Sequence, residues 1–443
     1  MISFHPRSRL LPISFFLACA LASSICSTQE LTGRFAKDDE ARNAMSHGDY
    51  AKAERLYREA IERDATSATL LTDLGVTLQI QGRATEAIQV FERALKEKYL
   101  PETYALLAEQ RCISRDFEGA RPMLTKIMRD HAGDSNVVAI VAPCFLDLDE
   151  PLESVKAYTI LLRDGVYPKD LALIQLSKSY LAAAQYFVTE LRQRTDGRAY
   201  VTALGQAGTS GNPRSAFPMA ESVSPNFHSD LGFDVVLAIW HKHEDDSTLL
   251  YQLAVLSGEQ SMHQIELCDR SYPDSPYLAQ LQFEMLADQG REDEAVSGFE
   301  GLIHSHPEMS DLRYDLGMLF RKQHQWDKSL AVFQDELSAN PKDERAAARV
   351  SEALGQLMRW TELQNFLTPR VQQNKTPLWA MLDLAEALEQ LEEKHSAISL
   401  LSKAELEYPS SRAVHFRLLH LYRTTGDMPK AVVEAKWFKD QPS

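Results

Sequence analysis

The chain repeats one fourteen-residue pattern at a spacing of 34 positions. GDYAKAERLYREAI occupies residues 48–61 and GRATEAIQVFERAL occupies residues 82–95, and the two segments align without a gap. In the second segment Ala87, Phe91 and Ala94 are spaced i, i+4 and i+7, which places them on one face of a helix. The two small residues on that face allow a neighbouring helix to approach closely, and the aromatic ring between them fills the remaining space.

A second helical pattern precedes each of these segments. Leu71, Leu74 and Leu78 mark an apolar stripe upstream of residue 82, and Gly75 within it is the predicted point of close contact with the following helix. The QGR sequence at 81–83 predicts the turn between the two helices. Each repeat is therefore a helix–turn–helix of about 34 residues. One such hairpin cannot bury its apolar stripe alone, so copies of it must stack.

Further copies follow along most of the chain. Each carries a small residue and, four positions later, a larger apolar residue, and several of the later copies end in a proline. The small residues are Ala53, Ala87, Ala120, Ser154, Ala295, Ser329, Ala397 and Ala431, and the closing prolines are Pro307, Pro341 and Pro409.

This pattern resembles the tetratricopeptide repeat family over most of residues 34–192 and 276–438. The resemblance rests on the Leu-Gly pairs at 74–75 and 316–317, together with the small residues and prolines just named. One repeat departs from the family pattern, because Leu363 stands at its small-residue position. The resemblance implies an all-α fold, namely an α-solenoid of helix–turn–helix repeats wound into a right-handed superhelix, as one stack or as two arms.

The middle of the chain interrupts the pattern. Residues 193–232 are rich in Gly, Ser and Pro, which break helices and form turns. They predict a degenerate repeat behind a flexible loop at about 203–214, in which Phe217, Ala220 and Pro225 still follow the second half of a repeat. The predicted domains are accordingly an N-terminal block at 34–192, the degenerate repeat at 193–245 and a C-terminal block at 246–443.

The first residues have the pattern of a secretory signal peptide. Arg7 and Arg9 precede an apolar run that ends near Ala22, and this run is shorter than the ~20 residues that span a bilayer. We expect a signal peptide at 1–22, extending to about residue 30 at most. The surroundings of Cys19 and Cys26 fit a lipid-attachment site poorly. The protein is then exported and is periplasmic or secreted, with an uncleaved membrane anchor as the alternative.

No later segment is apolar for long enough to cross a membrane, so no span is expected after cleavage. The signal and the style of the repeats together suggest an exported bacterial protein.

Charge and cysteine content exclude several other classes of function. The net charge is −16, from 63 acidic and 47 basic residues, which disfavours nucleic acid and anionic lipid as partners. Cys112, Cys144 and Cys268 lie far apart and lack the spacing of a zinc motif, so buried or idle thiols are expected.

The sequence indicates neither an enzyme nor a cofactor. Two His-x-His pairs, at 241–243 and 304–306, put their side chains on opposite sides of any helix, and no third ligand follows at a diagnostic spacing. GQAGTSG at 205–211 lacks the Lys-Ser/Thr of a phosphate-binding loop. The repeats also leave no contiguous stretch of about 150 residues for a catalytic domain.

The resemblance implies where a partner would bind. In tetratricopeptide proteins the first helix of each repeat lines a concave groove that holds a peptide or a helix of a partner protein. Fixed spacing then gives the candidate groove residues, which mix aromatic anchors with charges of both signs, as at many protein interfaces. They are Tyr314, Met318, Arg321, Lys322, Glu352, Gln356, Trp379, Glu386, Gln390, Phe416, His420 and Arg423.

These observations predict a non-catalytic scaffold that binds protein or peptide partners outside the cytoplasm. Two alternatives stay open. One is an assembly factor for outer-membrane proteins, pili or exported polysaccharide. The other is an enzyme accessory or sugar-binding protein that uses the loop at 203–214. Neither the client nor the oligomeric state follows from the sequence.

Overall fold

Helix hairpins account for the regular secondary structure of the chain. The computed structural model describes residues 35–210, 214, 217–307, 309, 312–341, 343–372 and 377–440, and every regular element in these ranges is a helix. Two compact units are present, unit 1 at Met1–Arg291 and unit 2 at Glu292–Ser443. The signal peptide expected at 1–22 lies outside the described residues. The three domains expected from the sequence stay predictions.

The helices are numbered in chain order. Those of unit 1 are α1 (Phe35–Ser46), α2 (Tyr50–Arg63), α3 (Ala68–Ile80), α4 (Ala84–Glu97), α5 (Pro101–Ile113), α6 (Phe117–Asp130), α7 (Ser135–Asp147), α8 (Pro151–Asp164), α9 (Lys169–Gln193), α10 (Gly197–Ser210), α11 (Phe217–Val223), α12 (Phe233–Trp240), α13 (Ser247–Ser271) and α14 (Pro276–Asp288). Those of unit 2 are α15 (Glu292–Ser305), α16 (Leu312–Lys322), α17 (Trp326–Ala339), α18 (Glu344–Gln356), α19 (Trp360–Val371), α20 (Leu378–Gln390), α21 (Lys394–Glu407), α22 (Arg412–Thr425) and α23 (Met428–Asp440).

Successive helices pack on each other within each unit. From α1 to α9 every helix contacts the next one, and α5 also packs against α7, so the first helices of neighbouring repeats touch. The two 25-residue helices α9 and α13 lie against each other, with α10 and α12 packed on α13. In unit 2 the same order runs from α15 to α23, and α18 contacts α20.

Short acidic side chains begin several helices. Asp49, Asp116 and Asp343 each accept a hydrogen bond from a backbone N–H two or three residues later. Such a cap satisfies a donor at the helix start that has no partner within the helix, and it stabilises the helix by about 1 kcal/mol.

A residue in the left-handed region closes the turn inside most hairpins. The turn predicted at QGR is present, and its Gly82 has a φ of 69°. The structure shows that residues other than glycine take the same place in other repeats, at a cost that Cβ imposes on this conformation. The positions are Gly48, Gly82, Arg115, Asp149, Gly290, His324, Met358, Glu392 and Gly426, with φ between 54° and 83°.

The predicted close contact of glycine with the aromatic residue is confirmed. A Cβ on Gly75 would lie 2.4 Å from Cε1 of Phe91, and one on Gly317 would lie 2.8 Å from Cε1 of Phe333. Both rings are fully buried. Because the glycines lie on α3 and α16 and the rings on α4 and α17, each ring fills the space between the two helices of one hairpin.

The small residues of the repeats are all buried, as their pattern predicts. Ala87, Ala120, Ala295 and Ala397 are fully buried, and the others named above are within a few per cent of that. Leu363 takes the same position on α19 and is also buried. This repeat therefore keeps the register with a larger side chain.

The prediction of a loop at about 203–214 is wrong for part of this segment. Residues 203–210 belong to α10, and residues 211–213 lie outside the described residues. The apolar side chains of Ala203 and Leu204 pack against the core of unit 1, which explains why helix persists there despite the glycines. Phe217 and Ala220 are buried on the seven-residue α11, as their spacing suggests.

Candidate protein-binding face

The residues predicted for the groove lie on the first helices of the repeats in unit 2. These helices are α16, α18, α20 and α22, and we call their predicted residues the first-helix face. The face consists of Tyr314, Met318, Arg321 and Lys322 on α16, Glu352 and Gln356 on α18, Trp379, Glu386 and Gln390 on α20, and Phe416, His420 and Arg423 on α22.

An ion pair joins α16 to α18. The guanidinium of Arg321 donates to Oε1 of Glu352 through Nε at 2.9 Å and Nη2 at 2.7 Å. Arg349, one turn before Glu352 on α18, donates to its other oxygen, Oε2. The hydrogen bonds to Glu352 raise the pKa of Arg321 above its ordinary value. Arg321 and Glu352 are therefore already ion-paired with each other between neighbouring repeats, and both side chains are only partly exposed.

Similar contacts join the following helices. Ser351 on α18 donates to Oδ2 of Asp383 on α20 at 2.7 Å. Burial raises the pKa of Asp383 above its usual range, against the opposing effect of the hydrogen bond from Ser351. Arg417 on α22 donates to Oε2 of Glu386 on α20 at 2.7 Å. A ladder of polar contacts thus runs from α16 to α22 and fixes the positions of these side chains.

Two further predicted residues have ionic partners of their own. Nε2 of His420 lies 3.1 Å from Oε1 of Glu389 on α20. Nζ of Lys322 lies 2.9 Å from Oε1 of Glu292, at the start of α15. The contact with Lys322 lowers the pKa of Glu292. Because Lys322 and His420 are both more than half exposed, these contacts contribute little to stability.

The predicted aromatic anchors differ in exposure. Tyr314 packs on Phe333 with ring centroids 5.5 Å apart, and the guanidinium of Arg345 lies 4.7 Å from the Tyr314 ring centroid. Burial raises the pKa of Tyr314. Trp379 is half-buried against the core of unit 2, as is Met318. Phe416 is 64% exposed and is therefore available to a partner.

The exposed part of the face is thus smaller than the predicted set. Its exposed residues are Lys322, Gln356, Gln390, Phe416, His420 and Arg423. Phe416, His420 and Arg423 are spaced i, i+4 and i+7 on α22, so they share one side of that helix. Within the described residues, no carboxylate forms an ion pair with the guanidinium of Arg423.

Residues that the sequence analysis missed hold this face together. Arg349, Asp383 and Arg417 occur every 34 residues with alternating charge, and each contributes to a contact of the ladder. The sequence signal that could have revealed these residues is therefore the alternation of their charge at the repeat length. The contacts between neighbouring first helices join residues 31 or 32 positions apart, whereas Arg349 and Glu352 both lie on α18.

The histidine pairs weighed as metal ligands are separate from this face. His241 and His243 are exposed in the turn after α12, and His304 is exposed on α15. Another group does place three ligand atoms within 4.8 Å of one another, namely Glu405, His415 and Glu434.

The thiols of Cys112, Cys144 and Cys268 are free and buried, as expected. None of the described helices has the length and apolar character needed to cross a bilayer.

Comparison with known proteins agrees with the helix pairs. A model of the tetratricopeptide repeat family matches residues 39–99 and 282–344. Both segments match tetratricopeptide repeats. The predicted all-α fold, an α-solenoid of stacked helix pairs, is confirmed for the described residues, and the two matched segments have the helix pairs of tetratricopeptide repeats. The right-handed superhelix stays a prediction.

Similarity to individual proteins is low. Yeast Tom70 is 12% identical, with 92% of this chain and 99% of that chain covered at a TM-score of 0.32. The Cut9–Hcn1 hetero-tetramer of the APC/C is also 12% identical, with 96% of this chain and 95% of that chain covered at a TM-score of 0.30. Among curated protein sequences, none is significantly similar to this chain.

Proposed function

We propose that the chain is a non-catalytic scaffold that binds a peptide or helix segment of a partner protein along the first-helix face of unit 2. The tetratricopeptide repeats support a role in protein interaction. The more specific proposal, a site on this face, rests on one observation: Phe416, His420 and Arg423 share one side of α22 next to a ladder of side chains that is already fixed.

The geometry of α22 suggests the chemistry of the partner. Phe416 and Arg423 are seven residues apart, or roughly 10 Å along the helix axis at a rise of 1.5 Å per residue. Phe416 offers an apolar contact surface and Arg423 an exposed cation. A partner segment that fits both presents an apolar side chain and a carboxylate about 10 Å apart. In a helical segment these residues are seven positions apart, and in an extended segment about three.

The ladder limits the cost of binding. Arg321, Glu352 and Glu386 are held by neighbouring helices before any partner arrives. Side chains that are already ordered lose less conformational entropy when a ligand binds. Less of the favourable free energy from the exposed contacts is then offset by ordering of the interface. The recognition energy is then expected from Phe416 and Arg423 rather than from the residues of the ladder, because buried aromatic and Arg contacts dominate many interfaces.

Selection from a displayed peptide library with the intact protein tests this proposal. We expect the enriched peptides to carry the apolar and acidic residues at the spacing given above. Phe416→Ala and Arg423→Glu should each weaken their binding at least about tenfold, as loss of a hot-spot contact does. Leu406→Ala and Lys403→Glu, at exposed positions on the second helix α21, serve as matched controls and should leave binding unchanged. Equal loss in all four variants, or in the controls alone, contradicts the proposal.

The location outside the cytoplasm is part of the proposal and is supported by the apolar segment ahead of residue 22. Its test is independent of binding. Fractionation of cells that produce the full chain with a C-terminal tag, followed by N-terminal sequencing, should recover a protein that begins shortly after Ala22 in the exported fraction. Recovery of an intact N-terminus in the cytoplasm contradicts this part alone.

A further inference from the structure

Three consecutive helices of unit 2 bring one histidine and two carboxylates together. Glu405 lies on α21, His415 on α22 and Glu434 on α23. Nδ1 of His415 is 2.7 Å from Oε2 of Glu434 and 4.0 Å from Oε1 of Glu405. His415 and Glu434 are buried, whereas Glu405 is partly exposed. The cluster is therefore closed on the side of the core and open towards solvent through Glu405.

The orientation of the imidazole is fixed by its second nitrogen. Nε2 of His415 lies 2.9 Å from the backbone oxygen of Pro409. A carbonyl oxygen only accepts hydrogen bonds, so Nε2 carries the hydrogen and donates it. Trp437 stacks on the ring, with centroids 3.8 Å apart and planes at 20°. Rotation of the ring out of its plane would lose both contacts, and a flip by half a turn would lose the hydrogen bond to Pro409.

This orientation directs three possible ligand atoms at one another. With the hydrogen on Nε2, the lone pair of Nδ1 in a neutral imidazole faces the carboxylate oxygens of Glu434 and Glu405. A single metal ion between these atoms can be bound by all three at once.

We propose that Glu405, His415 and Glu434 bind a divalent metal ion of the Zn²⁺ type. One nitrogen, two carboxylate oxygens and a water on the open side form the tetrahedral N/O set that zinc accepts. With bonds of about 2.1 Å, ligand atoms of a tetrahedral site lie roughly 3.4 Å apart. The observed distances of 2.7 Å and 4.0 Å bracket this value, so changes of about 0.7 Å and about 0.6 Å, within reach of the flexible glutamate side chains, complete the site.

The hydrogen bond from Nε2 supports a metal site for a second reason. Histidines that bind metals usually donate their other N–H to a carbonyl or carboxylate, which fixes the tautomer and directs the free nitrogen to the ion. Pro409 supplies this contact in the turn between α21 and α22.

A metal at this place would fasten the last helix of unit 2. Its ligands come from α21, α22 and α23, so the ion cross-links three successive helices. The proposed ion therefore stabilises the packing of α21, α22 and α23, because it binds the folded state and not a state in which these helices have separated.

Titration of the full chain with Zn²⁺ alone tests the proposal. We expect one ion per chain by equilibrium dialysis and a change in tryptophan fluorescence that disappears in Trp437→Phe while binding persists. Glu405→Gln and Glu434→Gln should each lower the affinity at least about tenfold. Glu407→Gln, two residues away on α21 and exposed, should bind as the wild type does.

Two results would overturn the proposal. In the first, the chain binds no Zn²⁺ at micromolar concentration. In the second, Zn²⁺ binds with equal affinity to the wild type, Glu405→Gln and Glu434→Gln, and the ion then lies elsewhere. Glu405 is partly exposed, so its substitution by glutamine leaves the helix intact, as circular dichroism can verify. Neither result affects the peptide-binding proposal, whose residues are different.

Discussion

The contact of Gly75 with Phe91 allows a quantitative test of the packing inside one hairpin. A Cβ on Gly75 would lie 2.4 Å, 2.6 Å and 2.9 Å from three atoms of the Phe91 ring. The ring is fully buried and cannot move into solvent. Overpacking of this kind costs about 1–3 kcal/mol, and three short contacts place Gly75→Ala near the upper end. Alanine favours the helix over glycine by about 1 kcal/mol, which leaves a net loss of roughly 2 kcal/mol.

A second glycine in the same unit provides the matched control. Gly258 lies inside α13, and a Cβ there would meet nothing within 4 Å. Gly258→Ala should therefore show the helix preference alone and stabilise by about 0.5–1 kcal/mol. The same chemical change thus has opposite effects at two helical positions, and the difference of roughly 3 kcal/mol measures the cost of the close contact.

Hydrogen exchange at the amides of α3 and α4 is the suitable assay, because repeats can open locally and a single global transition need not apply. Exchange should accelerate there in Gly75→Ala. Replacing Phe91 by leucine in this background should return part of the stability, since contacting residues are energetically coupled. Leu367 already fills the corresponding place on α19. Unchanged exchange in Gly75→Ala, with no coupling to position 91, would refute the packing argument.

Three further predictions concern unit 2. Met358→Gly should raise its melting temperature, because a non-glycine residue at a φ of 54° costs about 1–2 kcal/mol and this side chain is exposed; an unchanged value contradicts the strain. A double-mutant cycle with Arg321→Ala and Glu352→Ala should give a favourable coupling of about 0.5–1 kcal/mol for this partly exposed pair; a coupling of zero means that the pair does not join the helices. Because folding raises the pKa of Asp383, its negative charge destabilises the folded protein at pH values above the folded-state pKa. Below the unfolded-state pKa the carboxyl is neutral in both states and costs no stability. Asp383→Asn, whose amide oxygen still accepts from Ser351, should thus be more stable than the wild type at pH 7 in urea unfolding, with the advantage shrinking towards pH 4; an advantage that grows on acidification contradicts the assigned direction.

The helix pairs could be predicted from sequence because their determinants are local. Spacing of Ala87 and Phe91 gives the buried face, and Gly75 gives the point of close approach. The left-handed turns at Arg115 and Met358 could not be recognised by residue type, since neither residue favours that conformation. The glycines of 203–210 were weighted as loop-forming, but burial of Leu204 against the core of unit 1 outweighed them.

The candidate face was predicted less completely than the fold. The repeat length places Phe416 and Tyr314 on first helices, yet only the structure shows that Phe416 is exposed whereas Tyr314 is packed on Phe333. Partners 31 residues apart, such as Arg321 and Glu352, depend on the axial offset between neighbouring helices, which a single repeat does not encode. The cluster of Glu405, His415 and Glu434 depends on three helices meeting, so no local residue spacing in the sequence predicts it.

Site-specific photo-crosslinking tests the central claim most directly, namely that a partner protein binds the first-helix face of unit 2. The photoreactive aromatic amino acid p-benzoylphenylalanine replaces Phe416 on α22 in one variant and Leu406 on α21 in the other, both at exposed positions. Illumination of the producing cells should yield a discrete crosslinked product from position 416 that is absent from position 406. Crosslinking at position 406 alone, or the same products from both positions, would contradict the account.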